Sequence, residues 1–238
     1  HLAALDFTFA ALTRVETFVE TERQLLKEAA RRLAAGPDAE AEKVARERRS
    51  RFWALREPGL QPNWDLLAQA GELLRLCREV QEELKTAAPA ATLAAAYVRG
   101  ERPWRRLDTL HRHLEKKASS LEFVLADQLD EIEKLITATR QRHGETADRM
   151  AEAFVRALAA ASFELPGWYR QALTFERAVA PELGAKRVAY LMVDGLRYEL
   201  ACDLAELLAP DFEVHIDAVS GTLPGVTGVG MAALLPHA

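Results

Sequence analysis

The chain has little cysteine and no long hydrophobic run. Its 238 residues include two cysteines, Cys77 and Cys202, far apart on predicted helix faces. This spacing excludes a disulfide framework and a zinc knuckle, and it predicts reduced thiols in the core. No apolar run reaches the roughly 18 residues of a membrane-spanning helix, and the first residues lack the basic region of a leader peptide. We therefore expect a cytoplasmic protein without membrane contact. Because the chain does not begin with Met, we also expect its N-terminus to be cut or processed.

A strong positive charge is also lacking. The formal net charge is −5, and residues 183–238 carry −4 of it, with three basic and seven acidic side chains. The remainder is nearly neutral but densely charged with both signs, which is typical of a solvated helical surface and not of a polyanion-binding domain. Two local basic clusters could contact phosphates or form ordinary exposed helix faces. They are Arg46, Arg48, Arg49 and Arg51, and Arg102, Arg105 and Arg106.

Apolar residues recur every three or four positions through the first 180 residues, which predicts amphipathic helices. Gly36-Pro37 ends the first helix, and Asp38 is placed to cap the second, which stops at Pro58-Gly59. Further helices are predicted from Pro62 to near Pro89, from there to Arg99, and from Trp104 to Arg142 as one long bundle or spine helix. Gly144 should interrupt the pattern before Met150–Phe163, and a short helix covers Trp168–Val179.

The pattern changes at Leu183. The apolar run 188–193 has the length and composition of a strand buried on both faces of a parallel sheet. Leu196–Leu208 is predicted to be helical, and 212–217 alternates apolar and polar residues as a second strand. This βαβ pattern predicts an α+β chain. Residues 1–182 would form a helical domain, and residues 183–238 would be the opening, incomplete part of an α/β domain.

Two residues in this last part could carry chemistry. Asp194 ends the first predicted strand and could bind a metal ion or cap the following helix. Thr227 precedes a predicted helix over Gly228–Leu235, where its hydroxyl could be an activated nucleophile or a cap. Because open α/β sheets gather ligand-binding groups at one edge, we expect Asp194 and Thr227 to approach each other there.

The other polar candidates have weaker patterns. His111 and His113 lie two residues apart on opposite sides of a helix and cannot form the usual i, i+4 zinc pair. His215 and His237 are expected at the surface, and the four tryptophans are expected to pack in the core. The glycines Gly221, Gly225, Gly228 and Gly230 match neither common nucleotide-binding loop.

Two motifs together resemble the start of a PglZ domain, a family of the alkaline phosphatase superfamily that occurs in BREX-type phage-defence systems. They are the segment around Asp194-Gly-Leu-Arg197 and the segment Thr222-Leu-Pro-Gly-Val-Thr227-Gly-Val-Gly-Met. The helical stretch beginning Trp104-Arg-Arg-Leu-Asp108 also resembles the region that precedes this domain. The resemblance implies an alkaline-phosphatase-like α/β fold for the C-terminal part.

The resemblance implies that Asp194 binds metal and that Thr227 is the nucleophile or a further metal ligand. It implies a metal-dependent phosphatase or phosphodiesterase in the full-length protein, with zinc, or else manganese or magnesium, as the ion. Implied partners are other BREX components, above all the modification methyltransferase, with a phosphoester or nucleic acid as substrate. Since the family draws further Asp and His ligands from later positions, we expect this chain alone to be inactive. The alternatives are a non-catalytic helical scaffold of the defence complex and another superfamily enzyme, such as a phosphomutase or sulfatase.

Overall fold

The computed structural model describes residues 8–120, 126–184 and 187–236. Its elements are mostly helices: α1 Phe9–Leu12, α2 Val19–Ala35, α3 Ala39–Arg48, α4 Phe52–Arg56, α5 Leu60–Glu83, α6 Ala90–Val98, α7 Arg106–Ser120, α8 Ala126–Ala160, α9 Tyr198–Leu208 and α10 Thr227–Ala232. The contact pattern divides the chain into two compact units. The first comprises residues 1–87 and 106–153, and the second residues 88–105 and 154–238. The predicted domain boundary after residue 182 stays a prediction, because compact units describe packing and not domain limits.

The first unit is built around α5, which packs against α2, α3, α4 and α7. Its apolar side chains recur at helical spacing, and Trp64, Leu67 and Leu73 are completely buried. Burial of side chains of this size contributes about 1.5–3 kcal/mol each. Asp38 caps α3 as predicted, since its Oδ1 accepts hydrogen bonds from the amides of Glu40 and Ala41 at 3.0 and 2.9 Å.

A buried ion pair ties α3 to α2 in this unit. Arg48 donates to Glu22 Oε2 at 2.7 Å and to the carbonyl of Thr13 at 2.7 Å. Burial raises the pKa of the Glu22 carboxyl, while the Arg48 guanidinium opposes that shift. The expectation that the cluster Arg46, Arg48, Arg49 and Arg51 forms one exposed face is therefore wrong for Arg48. The sequence pattern conceals its role because the partner lies 26 residues away.

Helices α7 and α8 lie side by side and antiparallel. Asp108 pairs with His143 at 3.2 Å, and Glu115 receives two 2.7 Å hydrogen bonds from Arg140. The prediction of one helix from Trp104 to Arg142 is therefore wrong. Gly144 lies inside α8 and does not interrupt it. An internal glycine costs a helix only roughly 1 kcal/mol, which a helix of 35 residues can absorb.

Both cysteines are free and buried, as predicted. Cys77 lies on α5, and burial raises the pKa of its thiol to about 11. Cys202 lies on α9 in the second unit. Trp64 and Trp104 are buried as expected for core residues, whereas Trp53 and Trp168 are half-buried.

The second unit combines α6, α9 and α10 with extended segments. Short helical turns occur at Gln171–Leu173, Phe175–Val179 and Ala180–Glu182. An isolated parallel bridge joins Arg170 and Ser220. Helix α9 matches the predicted helix to within two residues at its start.

The predicted βαβ arrangement is wrong. Among the described residues, neither 187–193 nor 212–217 forms a strand, and no sheet is present. A strand buried in a parallel sheet needs hydrogen-bonded neighbours and helices on both faces. Here the apolar run has no regular secondary structure and is largely solvent-exposed, with Leu191 82% exposed. A continuous apolar run cannot by itself distinguish a buried strand from an extended segment of this kind.

Candidate functional site

Asp194 lies in a turn between an irregular segment and α9. Gly195, which follows it, has a φ of 67°, a left-handed conformation that glycine adopts without strain. Helix α9 begins at Tyr198 and has Arg197 as its N-cap residue. Asp194 is therefore too far upstream to cap this helix, and its carboxylate is exposed to solvent.

Thr227 is the first residue of α10. The N-cap position is occupied by Val226, and the structure shows no side-chain cap on this helix. Helix α10 spans Thr227–Ala232, one residue earlier at its start and three residues shorter at its end than predicted. The Thr227 hydroxyl is consequently available for contacts other than capping, and the residue is exposed.

The structure brings these two residues together. Thr227 Oγ1 donates a long hydrogen bond of 3.4 Å to Asp194 Oδ1, although the residues are 33 positions apart. The predicted approach of Asp194 and Thr227 is confirmed, but it joins a turn to the start of α10 and does not lie at a sheet edge. Their roles as metal ligand and nucleophile stay predictions.

Tyr190 connects the segment before Asp194 to the end of α10. It lies four residues before Asp194, and its hydroxyl donates to the carbonyl of Leu234, just beyond α10, at 3.0 Å. Its ring packs beside that of Phe175, with the centroids 5.9 Å apart and the planes tilted by 60°. Partial burial raises the pKa of the Tyr190 hydroxyl, so this donor stays protonated. Tyr190 thereby links the segment that carries Asp194 to the end of the helix that begins with Thr227.

Gln171 supports the same region from a third segment. Its side-chain Nε2 donates to the carbonyl of Gly230 at 3.0 Å, and its Oε1 accepts from the amide of Thr222 at 3.0 Å. Sequence reasoning missed this residue. A single glutamine in a short polar segment has no spacing that would distinguish it from a surface side chain.

The histidines show one arrangement that the sequence did not indicate. In the first unit His111 stacks on His143, with ring centroids 4.0 Å apart and planes at 4°. Burial and the neighbouring His143 lower the pKa of His111. His215 is exposed as expected and lies beside Glu213, while His237 lies outside the described residues. His111 is half-buried, and the sequence pattern did not indicate this stacking because His143 lies on another helix.

Asp194 and Thr227 form a small part of a metal site at most. In the part of the chain that the structure describes, no group of three or more His, Cys, Asp or Glu side chains is arranged to hold a metal ion. Within the same residues, no helix combines the length and apolar character needed to cross a membrane.

Comparisons with known proteins agree with the resemblance drawn from the motifs. Residues 174–238 match the family described as the BREX system PglZ alkaline phosphatase-like domain. Over 208 residues the chain is 29% identical to the alkaline phosphatase-like protein BrxZ of Escherichia coli O9:H4 (strain HS). The aligned region covers 84% of this chain and 24% of BrxZ, so the chain spans about a quarter of its relative's length. No solved structure matches the chain. The predicted resemblance to a PglZ domain is confirmed, and Asp194 and Thr227 lie within the matched residues.

Proposed function

We propose that Asp194 and Thr227 belong to the reaction centre of a metal-dependent phosphatase or phosphodiesterase acting in a BREX-type phage-defence system. The observation that carries this proposal is the hydrogen bond from Thr227 to Asp194. Each residue had a competing explanation as a helix cap, and neither residue caps a helix. Capping therefore does not explain why either residue stands where it does, or why the two lie close together.

The pair has suitable chemistry for phosphoester cleavage. A threonine hydroxyl becomes a useful nucleophile when a base or a metal ion lowers its pKa. Here the hydroxyl proton points towards the Asp194 carboxylate, so lone pairs on Oγ1 are free to face an incoming phosphorus atom. Solvent exposure of both residues leaves room for a substrate or for additional ligands.

A divalent metal ion fits this pair of oxygen atoms. A carboxylate oxygen and a hydroxyl oxygen are donors that divalent metal ions accept in proteins. Oγ1 and Oδ1 lie 3.4 Å apart, on side chains that are both exposed. Asp194 and Thr227 would hold zinc, or manganese or magnesium, together with ligands from elsewhere in the whole protein. When bound, the ion would neutralise charge on the attacking and leaving oxygens.

The similarity to BrxZ supports the biological assignment. We propose that the whole protein acts with other BREX components in the cytoplasm, above all with the modification methyltransferase. Its substrate would be a phosphoester, with nucleic acid as the candidate macromolecule. Residues 183–238 are acidic overall, so nucleic acid would require basic surface outside this segment or metal ions that screen the charge.

A second candidate function is a non-catalytic helical scaffold of the defence complex. It is favoured by the first unit, whose helices form a closed core. It is also favoured by the lack, among the described residues, of any group of three or more His, Cys, Asp or Glu side chains that could hold a metal ion. In that case the Asp194–Thr227 hydrogen bond would only connect the turn at Asp194 to the start of α10. Substitution of the two residues separates these functions.

The test compares Thr227→Ala and Asp194→Ala in the whole protein. We expect Thr227→Ala to lower metal-dependent phosphoesterase turnover by about a thousandfold or more. Its free energy of unfolding should fall by no more than about 1 kcal/mol, because one exposed hydrogen bond is lost. Asp194→Ala should lower both turnover and bound metal, measured by elemental analysis.

The exposed residues Thr86 and Asp211 offer matched controls. Thr86→Ala and Asp211→Ala make the same chemical changes away from the pair and should leave turnover and metal content unchanged. Full activity of Thr227→Ala would refute the catalytic role and leave the scaffold as the better explanation.

A further inference from the structure

The loop before Thr227 buries little of its apolar surface. Between Ser220 and α10, the side chains of Leu223 and Val226 are 67% and 55% exposed. Hydrophobic packing therefore contributes little to the position of this loop. Its conformation depends instead on hydrogen bonds.

Those hydrogen bonds converge on the segment around Gln171. At the start of the loop, the Ser220 amide donates to the carbonyl of Tyr169 at 2.7 Å, and the Gln171 amide donates to the carbonyl of Ser220 at 2.9 Å. The Gln171 side chain then reaches further along the loop, to the amide of Thr222 and to the carbonyl of Gly230.

One carboxamide thus joins the two ends of the segment that carries Thr227. Thr222 lies five residues before Thr227, and Gly230 lies three residues after it. An amide side chain is required, because the first contact needs an acceptor and the second needs a donor. The opposite orientation of the carboxamide would place its NH₂ against an N–H and its oxygen against a carbonyl, so the network determines its orientation.

We infer that Gln171 is a positioning residue, which keeps the Thr227 hydroxyl on Asp194 by bridging Thr222 and Gly230. The inference that this matters for turnover rests on the proposed function. The structural part does not, since it concerns only the hydrogen bonds of the loop and the position of Thr227. The side-chain hydrogen bonds of Gln171 go to Gly230 and Thr222, not to Asp194 or Thr227.

The first test measures local order in Gln171→Ala and Gln171→Glu by amide hydrogen exchange. In Gln171→Ala, exchange of the Thr222 amide should accelerate about tenfold, in keeping with the loss of one hydrogen bond. Gln171→Glu keeps an acceptor for Thr222 but has no donor for Gly230. It should retain protection at Thr222 while the amides of α10 exchange faster.

The second test follows Asp194 directly, through the NMR chemical shift of its side-chain carboxyl carbon. Thr227→Ala removes the hydrogen bond and defines the shift change for a carboxylate without its partner. Gln171→Ala should move the signal in the same direction. The control Gln141→Ala, at an exposed site on α8 where Gln141 contacts Glu145, should move nothing.

A third measurement connects positioning to turnover. The assay uses the whole protein with bis(p-nitrophenyl) phosphate and manganese. In Gln171→Ala, kcat should fall about ten- to a hundredfold while KM stays close to the wild-type value. A loss of this size is expected because misplacement of a reacting group by about 1 Å lowers the rate by up to about a hundredfold. An unchanged Asp194 signal or unchanged Thr222 exchange in Gln171→Ala would overturn the positioning role. Altered NMR signals with unchanged kcat would overturn its link to the reaction. If wild type shows no turnover, the proposed function fails, and the exchange and NMR results still decide the structural role of Gln171.

Discussion

The two units of the molecule bury their large apolar side chains to different extents. In the first unit, large side chains such as Leu67 on α5 are completely buried between helices. In the second unit, Leu191, Leu207 and Phe212 are 82%, 76% and 64% exposed. The second unit nevertheless has a network of specific hydrogen bonds around Thr227. The contrast indicates that hydrophobic burial stabilises the first unit, whereas the local geometry of the candidate site depends on polar contacts.

The largest expected effect comes from the same substitution made in each unit. Leu67→Ala should lower the free energy of unfolding by about 2–5 kcal/mol, because it leaves a cavity in a closed core. Leu191→Ala removes an exposed side chain and should change stability by less than about 0.5 kcal/mol. Urea denaturation followed by circular dichroism measures both values. Equal losses would contradict the contrast between the units.

A smaller effect is expected at the crossing of α3 and α5. A Cβ atom added at Gly71 would lie 2.9 Å from Cγ of Glu42 and 3.4 Å from its Cα. Gly71→Ala should therefore push the helices apart and cost about 1–3 kcal/mol. At Gly144 in α8, nothing lies within 4 Å of an added Cβ. Gly144→Ala should instead stabilise the protein by up to about 1 kcal/mol through helix propensity. Thermal unfolding midpoints that move in the same direction for both variants would contradict this packing argument.

The smallest expected effect is a pH dependence confined to the first unit. Burial and His143 lower the pKa of His111 in the folded protein, so the unfolded chain binds the proton more readily. The stabilisation is fully present above the unfolded pKa of about 6.5 and is lost as pH falls from there through the lower pKa of the folded protein. The carboxylates of Asp108 and Glu115 raise the pKa of His111 and reduce the effect, whereas the Arg140 guanidinium lowers that pKa further.

Replacement of His111 by Gln should flatten the change in unfolding free energy between pH 7.5 and 5. The control is His215→Gln in the second unit, because that ring is exposed, and the pH profile of this variant should follow wild type. A profile that His111→Gln leaves unchanged would show that the stacked histidines do not sense pH.

Much of the helical region could be predicted, because apolar spacing follows directly from the geometry of a helix. The Asp38 cap, the buried thiols and the position of α9 all depend on local pattern. The antiparallel arrangement of α7 and α8 could not be predicted in this way. It depends on contacts such as Asp108–His143, which join residues 35 positions apart.

The two residues of the candidate site could be predicted from the sequence, but the structure that surrounds them could not. Asp194 and Thr227 stand out because an acidic residue and a hydroxyl follow apolar segments at turns. The predicted sheet did not form among the described residues, since an apolar run specifies a strand only when neighbouring strands pair with it. Gln171 could not be predicted because both of its side-chain hydrogen bonds are to backbone atoms. Every residue type has a backbone carbonyl, and all but proline have an amide N–H, so the sequence does not mark these partners.

Each unit also contains one buried cysteine, and the labelling rate of its thiol reports local opening of that unit. Cys77 in the first unit and Cys202 in the second are both buried and free. With a pKa of about 11, the Cys77 thiol is almost entirely protonated at neutral pH, and thiolate is the form that reacts with alkylating reagents. Labelling at Cys77 must therefore wait for α5 to become accessible, and its rate measures how often this happens. Mass spectrometry resolves the two sites, so one native, unmutated sample would give opening rates for the helical core and for the unit that carries Thr227.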